Sequence, residues 1–366
     1  MTLRIHPFRR WCLSAIALCA LGGCADTGYL LRTLQGHLQV LRAARPVEQW
    51  LSDEHTPAAL RQRLQLAQRM RSFSVSDLGL PDNASYTSYA DLQRSAVVWN
   101  VVAAPAFSLT LKTWCFPVAG CIGYKGYFEE KQAQAESRRL QTQDLETSVY
   151  GVPAYSTLGW MNWAGGDPLL NTFIRHPEGE LARMIFHELA HQLLYVQDDT
   201  VFNESFATAV ERLGAQRWLA AQGSLQAQQE YAELDARRQQ FRALTRATRR
   251  ALETVYSGAA ALEADLAQRS ERKQRAMQEF RERYAQLKAS WGGYAGYDAW
   301  VARANNASFG AIAAYDELVP GFEALFTASG QDWPRFYDAV RRLARLPKEE
   351  RTQTLKQLTA PEVPRG

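Results

Sequence analysis

Net charge of either sign is nearly missing from this 366-residue chain. Its formal charge is +4, and without Arg4, Arg9 and Arg10, which lie in a segment read below as cleaved, 39 basic residues face 38 acidic ones. No electrostatic footprint for nucleic acid is present, so no nucleic-acid partner is expected. Long apolar runs are also lacking: the stretch Trp11 to Leu21 is too short to span a bilayer as a permanent helix. Cysteine is scarce at five residues, of which Cys115 and Cys121, six apart, lack the C-x₂₋₄-C spacing that zinc prefers. What is present is ample core material, 46% hydrophobic against 22% charged, enough for one large domain or two unequal ones.

The N-terminus reads as an export signal. Three arginines precede the apolar run, and the small residues Gly22 and Gly23 precede Cys24. Leu21-Gly22-Gly23-Cys24 resembles the lipobox of bacterial lipoproteins, which implies cleavage after residue 23 and lipidation of Cys24. Several acyl chains on one cysteine give stable membrane attachment, since one chain binds only marginally. Ala25 after the cysteine leans toward the outer membrane of a Gram-negative cell, with the chain facing the periplasm. Cys12 and Cys19 leave with the signal. In an oxidising compartment Cys115 and Cys121 are expected to close a small disulfide loop; two buried thiols or a metal pair are the alternatives.

The expected fold class is α+β and mainly helical, with a small mixed sheet and a long helical hairpin. Residues 24–78 read as an N-terminal helical region: Leu30, Leu31, Leu34, Leu38 and Leu41 mark a helix from Tyr29 to Arg45, and Thr56-Pro57 reads as the N-cap and first residue of a second. His37 and His55 in this region read as solvent-facing or cap residues. Residues 79–215 form the expected core. Strand signals lie at 83–89, 97–102, 107–111, 148–152 and 155–160, with a charged helix at 129–143. Residues 216–290 read as two long amphipathic helices reversing near 257–258 or 268–272, and 291–366 as a C-terminal helical region. The charge run Arg269 to Arg275 reads as a solvated face or helix junction, and a partner-binding arm in 216–290 is the alternative.

The chemistry concentrates at residues 184–212. His187 and His191, four apart on a predicted helix, project to one face, where two imidazoles can share a tetrahedral metal ion. Glu188 stands one position off that pair and can reach a water rather than the metal, the general-base position of H-E-x-x-H. Asp198-Asp199 permits a turn, and Asn203-Glu204-Ser205-Phe206-Ala207 begins a second helix able to return Glu204 to the metal. Two histidines and one glutamate leave a tetrahedral position open, the pattern of a catalytic zinc site, Zn²⁺ being the expected cofactor.

His187-Glu188-Leu189-Ala190-His191-Gln192 followed by Asn203-Glu204-Ser205-Phe206-Ala207-Thr208-Ala209-Val210-Glu211 resembles the gluzincin metallopeptidases, especially aminopeptidases of the H-E-L-A-H-Q…N-E-G-F-A-x-x-x-E type. The resemblance implies a zincin-like domain in which His187, His191 and Glu204 are the ligands, Glu188 the base, and Glu211 a carboxylate supporting the ligands. The chain departs from that pattern in having only 12 residues between His191 and Glu204, Ser205 where glycine is usual, and no G-x-M-E-N-like segment. Together with the lipobox, Val98 to Pro105, Trp114-Cys115-Phe116-Pro117 and Ala154 to Trp160, nearly the whole mature chain is similar to a family of bacterial lipoproteins described as predicted aminopeptidases.

These features predict zinc-dependent peptide hydrolysis by a lipid-anchored envelope peptidase, an aminopeptidase. Its partners would be a peptide substrate and, through Cys24, a membrane. An edge strand at 155–160, with Tyr155, Ser156 and Thr157, is expected to line the cleft and pair with the substrate backbone. A tyrosine or histidine beside the zinc is expected to stabilise the oxyanion. Tyr294, Tyr297 and Tyr315 are placed suitably along the chain, and Tyr315, in the periodic stretch Phe309, Ile312, Tyr315, Leu318, is preferred. The rivals are a zinc endopeptidase and a non-catalytic envelope scaffold with a vestigial or structural metal site. An intact Glu188 argues against the scaffold, which has no use for that base.

Overall fold

The computed structural model describes residues 24–116, 120–154, 156–159, 162, 165–257, 265–314 and 317–359. Helix α1 (Cys24–Ala43) leads through β1 (Arg45–Pro46) and α2 (Val47–Ser52) to α3 (Ala58–Ser76), which buries Leu64, Ala67 and Met70 at three-residue steps. Thr56 does not cap α3. Pro57 keeps an extended ψ of 137° and takes the cap position itself, and the Thr56 hydroxyl is buried without a hydrogen-bond partner.

Three small sheets follow. β1 pairs antiparallel with β2 (Ser88–Ala90), which pairs in parallel with β8 (Leu169–Leu170). β3 (Val98–Pro105) is the central strand of an antiparallel sheet, flanked by β6 (Lys125–Tyr127) and β7 (Leu145–Val152). β4 (Trp114–Phe116) and β5 (Gly120–Ile122) make a hairpin in which Cys115 pairs with Cys121, and a disulfide joins them. Helix α4 (Glu130–Gln141) covers one face of the central sheet, burying Ala133 and Leu140 against Val101 and Ala103. The period of two along β3 turns Val102 and Ala104 to the opposite face.

Two expected strands are not strands. At 107–111 the side chains go to helices rather than to a neighbouring strand: Leu109 joins an apolar cluster of the helical hairpin, and Phe107 packs edge-on against Tyr256. The described part of 155–160 is a turn with Leu158 at φ 55° and Gly159 at φ 78°, which an extended strand cannot accommodate.

Helices α5 (Glu178–Leu193) and α6 (Thr200–Gln222) pack tightly side by side. Their close approach depends on Gly214, where a Cβ would stand 2.9 Å from the Phe186 ring and 2.8 Å from Leu78. α6 takes in residues 216–222, expected in the hairpin. The hairpin proper is α7 (Leu225–Ser257) with α8 (Leu266–Ser290), packed around Phe241, Leu244, Phe280 and Tyr284. Part of the 269–275 charge run is docked rather than solvated: Lys273 pairs with Glu146 of β7 and donates to the Ala106 carbonyl at 2.8 Å. Helices α9 (Asp298–Arg303), α10 (Asn306–Ala314), α11 (Val319–Ala328), α12 (Trp333–Ala344) and α13 (Lys348–Gln357) complete the chain. Phe206 of α6 meets Phe322 and Phe336 in the main core, and truncating such a buried ring costs about 3–5 kcal/mol. The architecture is mainly helical α+β. Among the described residues no helix is long and apolar enough to cross a membrane.

Candidate metal centre

α5 carries His187 and His191 one turn apart, and α6 brings Glu204 against them. Nε2 of His187 lies 3.1 Å from Nε2 of His191 and 3.4 Å from Oε2 of Glu204, which lies 3.7 Å from Nε2 of His191. Two ligands at tetrahedral positions around one zinc, each about 2.0–2.1 Å from it, stand roughly 3.3 Å apart. The three atoms therefore already surround one ion's volume, and the donor set of two imidazoles and one carboxylate suits zinc.

The short link between the helices is closed by side chains. Asn203 clamps Val196 at both backbone groups, accepting from its amide at 2.8 Å and donating to its carbonyl at 2.7 Å. Asp198 turns the chain at φ 62°. Asp199 caps α6 by accepting the Phe202 amide and forms a buried ion pair with Arg351 at 2.7 Å. These contacts set the position of Glu204, one residue past Asn203, despite only 12 intervening residues. Ser205 has its own explanation: it is buried, and its hydroxyl accepts the Leu318 amide at 3.2 Å, tying α6 to the segment before α11.

Behind the ligands, Oε2 of Glu211 lies 2.9 Å from Nδ1 of His187, and its other oxygen is paired with Arg183. A carboxylate there accepts a hydrogen bond from Nδ1–H, which orients the ring with Nε2 toward the ion's volume. Although burial opposes it, hydrogen bonds to Glu204 and Glu211 hold the His187 pKa well above its ordinary value. Burial would raise Glu204 and Glu211 as well. The neighbouring charges, His191 first for Glu204 and Arg183 first for Glu211, instead bring each down to about 2. Both carboxylates are thus held ionised by the cationic groups beside them. Nδ1 of His191, by contrast, is buried without a hydrogen-bond partner.

His187, His191 and Glu204 line a cleft of about 580 Å³. Glu188 opens into it, with burial pushing its carboxyl up against the pull of His187 and His191. Val98, Ile122, Phe128 and Val152 make the cleft walls largely apolar. Ser156 and Thr157 line it as part of the turn described above. Asp167 anchors that turn by accepting the Thr157 amide and the Gln192 side chain, both at 3.1 Å. Tyr155 and Tyr315 lie outside the described residues. Tyr297 is stacked on Phe241 at 4.0 Å in the hairpin cluster, and Tyr294 packs beside it against Trp291; neither lines the cleft.

Two tyrosines that periodicity did not single out do line it. Tyr124 is half-buried and its hydroxyl pKa is raised, by desolvation first and then by the charges of Glu204 and other neighbours including Glu188. Tyr195 follows α5 directly, 6.4 Å ring to ring from His191, and burial pushes its pKa to about 12. Both stay protonated and can donate. Tyr195 sits one turn beyond His191 and could have been noticed on that ground, whereas Tyr124 had no local signal. His37, read as a solvent-facing or cap residue, is buried and lines the cleft, because α1 lies along its wall.

Fold and site together define a mainly helical α+β protein in which two packed helices bring together His187, His191 and Glu204, a group able to hold a metal ion, in a cleft also lined by Glu188. The chain belongs to the family described as "Putative aminopeptidase", whose family model matches residues 28–355. This membership points to peptidase activity. No curated protein and no solved structure matches it.

Proposed function

We propose that the protein is a zinc-dependent peptidase of gluzincin type with a zincin-like core. It acts as an aminopeptidase held by a lipidated Cys24 in a Gram-negative envelope and facing the periplasm. The observation that carries the catalytic reading is the convergence of His187, His191 and Glu204 within 4.8 Å of one another, beside Glu188 in the same cleft. His187, His191 and Glu204 would hold the ion, which when bound supplies Lewis-acid polarisation of the scissile carbonyl and acidifies a water. Glu188 takes the proton of the attacking water and returns it to the leaving amine. A tyrosine hydroxyl, from Tyr124, Tyr195 or Tyr315, donates to the oxyanion. The apolar walls receive substrate side chains and exclude bulk water.

The test is zinc content and peptide hydrolysis for the wild type and Glu188→Gln. Stoichiometric zinc in both, with hydrolysis only in the wild type, is expected. Stoichiometric zinc in the wild type with no hydrolysis of N-terminal aminoacyl reporters or longer peptides would sink the enzyme reading. Full activity in Glu188→Gln would remove Glu188 from its role. The same peptides with free and acetylated N-termini separate exopeptidase from endopeptidase.

A further inference from the structure

Helix α1 has three sectors. At 100° per residue, Tyr29, Thr33, Gly36, His37 and Val40 fall on one side, and there Tyr29 donates to the Gly126 carbonyl at 2.9 Å while Val40 is wholly buried. Leu30, Leu34, Leu38 and Leu31 fall within an adjoining arc of roughly 100°, the width of one apolar stripe. They are exposed: 47%, 53%, 38% and 63% respectively. The other exposed large apolar side chains, Leu225, Leu266, Leu346 and Leu358, belong to separate parts of the fold. The third sector is polar and includes Arg32, Gln39 and Arg42.

We infer that this leucine stripe lies in the interface of a lipid bilayer and holds the mouth of the metal cleft at the membrane surface. The inference rests on the lipidated Cys24 of the proposed function, and three observations carry it further. Cys24 is the first residue of α1, so acyl chains on it would lie only about 9–21 Å along the same helix from the leucines. Arg32 and Arg42 outnumber Asp26, the single acid of α1, which suits anionic headgroups. Four leucines on one helix also expose far less than the ~800 Å² per partner of a stable protein interface, yet they suit a helix that buries one face about 5–10 Å into the headgroup boundary. Because Tyr29, Leu30, Thr33 and His37 of the same helix line the cleft, an α1 seated in the interface is also a wall of the substrate site. Peptides at the membrane surface then meet the cleft directly.

The test uses the processed protein in vesicles of phosphatidylethanolamine and phosphatidylglycerol. With Cys24 acylated and Cys115 bonded to Cys121, Leu34→Cys supplies a single free thiol for an environment-sensitive fluorophore, and Gln39→Cys supplies the control on the polar sector. The Leu34 label is expected to shift to the blue, to be quenched by bromolipids, and to lose at least about threefold in iodide quenching relative to the Gln39 label. Equal iodide access at both positions overturns the inference, as does concentration-dependent self-quenching of the Leu34 label without lipid, the mark of a second copy on the stripe. Intact mass reports acylation of Cys24 separately. A lipidated chain with an exposed Leu34 label defeats the interfacial helix and keeps the anchor; if Cys24 proves unlipidated, the label is read in the same chain with Cys24→Ser added, and its entry into vesicles does the reverse.

Discussion

The Glu211 carboxylate bridges Arg183 and His187, with Oε2 2.9 Å from Nδ1 of the imidazole. Arg183 and His187 are one turn apart on α5, and Glu211 lies two turns past Glu204 on α6. One residue thus joins both helices and orients the His187 imidazole. Glu211→Gln keeps the shape and loses the charge, so zinc affinity should fall about 10–100-fold by chelator competition. Glu211→Ala also removes the nearer of the two carboxylates paired with the buried Arg183, leaving Glu180 at 3.7 Å, and should cost about 3 kcal/mol in denaturant unfolding. Wild-type zinc affinity in both variants would show that Glu211 does not support His187.

Among Tyr124→Phe, Tyr195→Phe and Tyr315→Phe, one should lower kcat by about 10²–10³ with little change in KM, as for loss of an oxyanion donor. Steady-state kinetics on one peptide reporter distinguishes the three. Near-wild-type kcat in all of them would place the donor elsewhere.

Gly166 adopts φ 68°, and a Cβ there would stand 2.5 Å from the Ser85 backbone nitrogen. Its neighbour Asp167 holds the cleft turn through the Thr157 amide. Gly166→Ala should therefore lower stability by about 1–3 kcal/mol and raise KM more than it lowers kcat. Thermal unfolding and kinetics check the two halves separately.

Ser205→Gly installs the residue usual in the resembled motif. It leaves the Leu318 amide without its buried acceptor, costing about 1–3 kcal/mol, and adds a helix-interior glycine at about 1 kcal/mol. Urea unfolding should show the loss with zinc affinity unchanged. Reduced affinity instead would mean that Ser205 helps place Glu204.

Burial lowers the pKa of His176. As pH falls below the ordinary value of about 6.5, the unfolded chain takes up a proton that the folded one refuses, so this residue's contribution to stability is present above that pH and is lost on acidification. In His176→Asn the loss of melting temperature between pH 7 and pH 5 should be smaller than in the wild type. An identical slope would show that other groups set the acid response.

The helices were legible where periodicity was strong. α5 and α6 follow from the spacing of the histidines and from the Asn203-to-Ala207 segment, and the C-terminal helical region resolves into α9 to α13. The strands at 107–111 and 155–160 were misread because β-branched and aromatic composition reports burial rather than pairing. Leu109 found its burial against the hairpin, and the 156–159 segment is held by Asp167, a contact ten residues away that no local pattern encodes.

The sequence alone determined the residue pattern of 184–212: two histidines at helical spacing, a glutamate beside the first of them, and another glutamate on the next helix, all properties of local order along the chain. Only the tertiary structure decided the rest. It showed that Asn203 closes a link that looked too short, that Ser205 answers an amide from beyond residue 300, and that Tyr124 and His37 reach the cleft. Those contacts join residues far apart in the chain, and the free energy of packing that brings them together leaves no periodic trace in the order of amino acids.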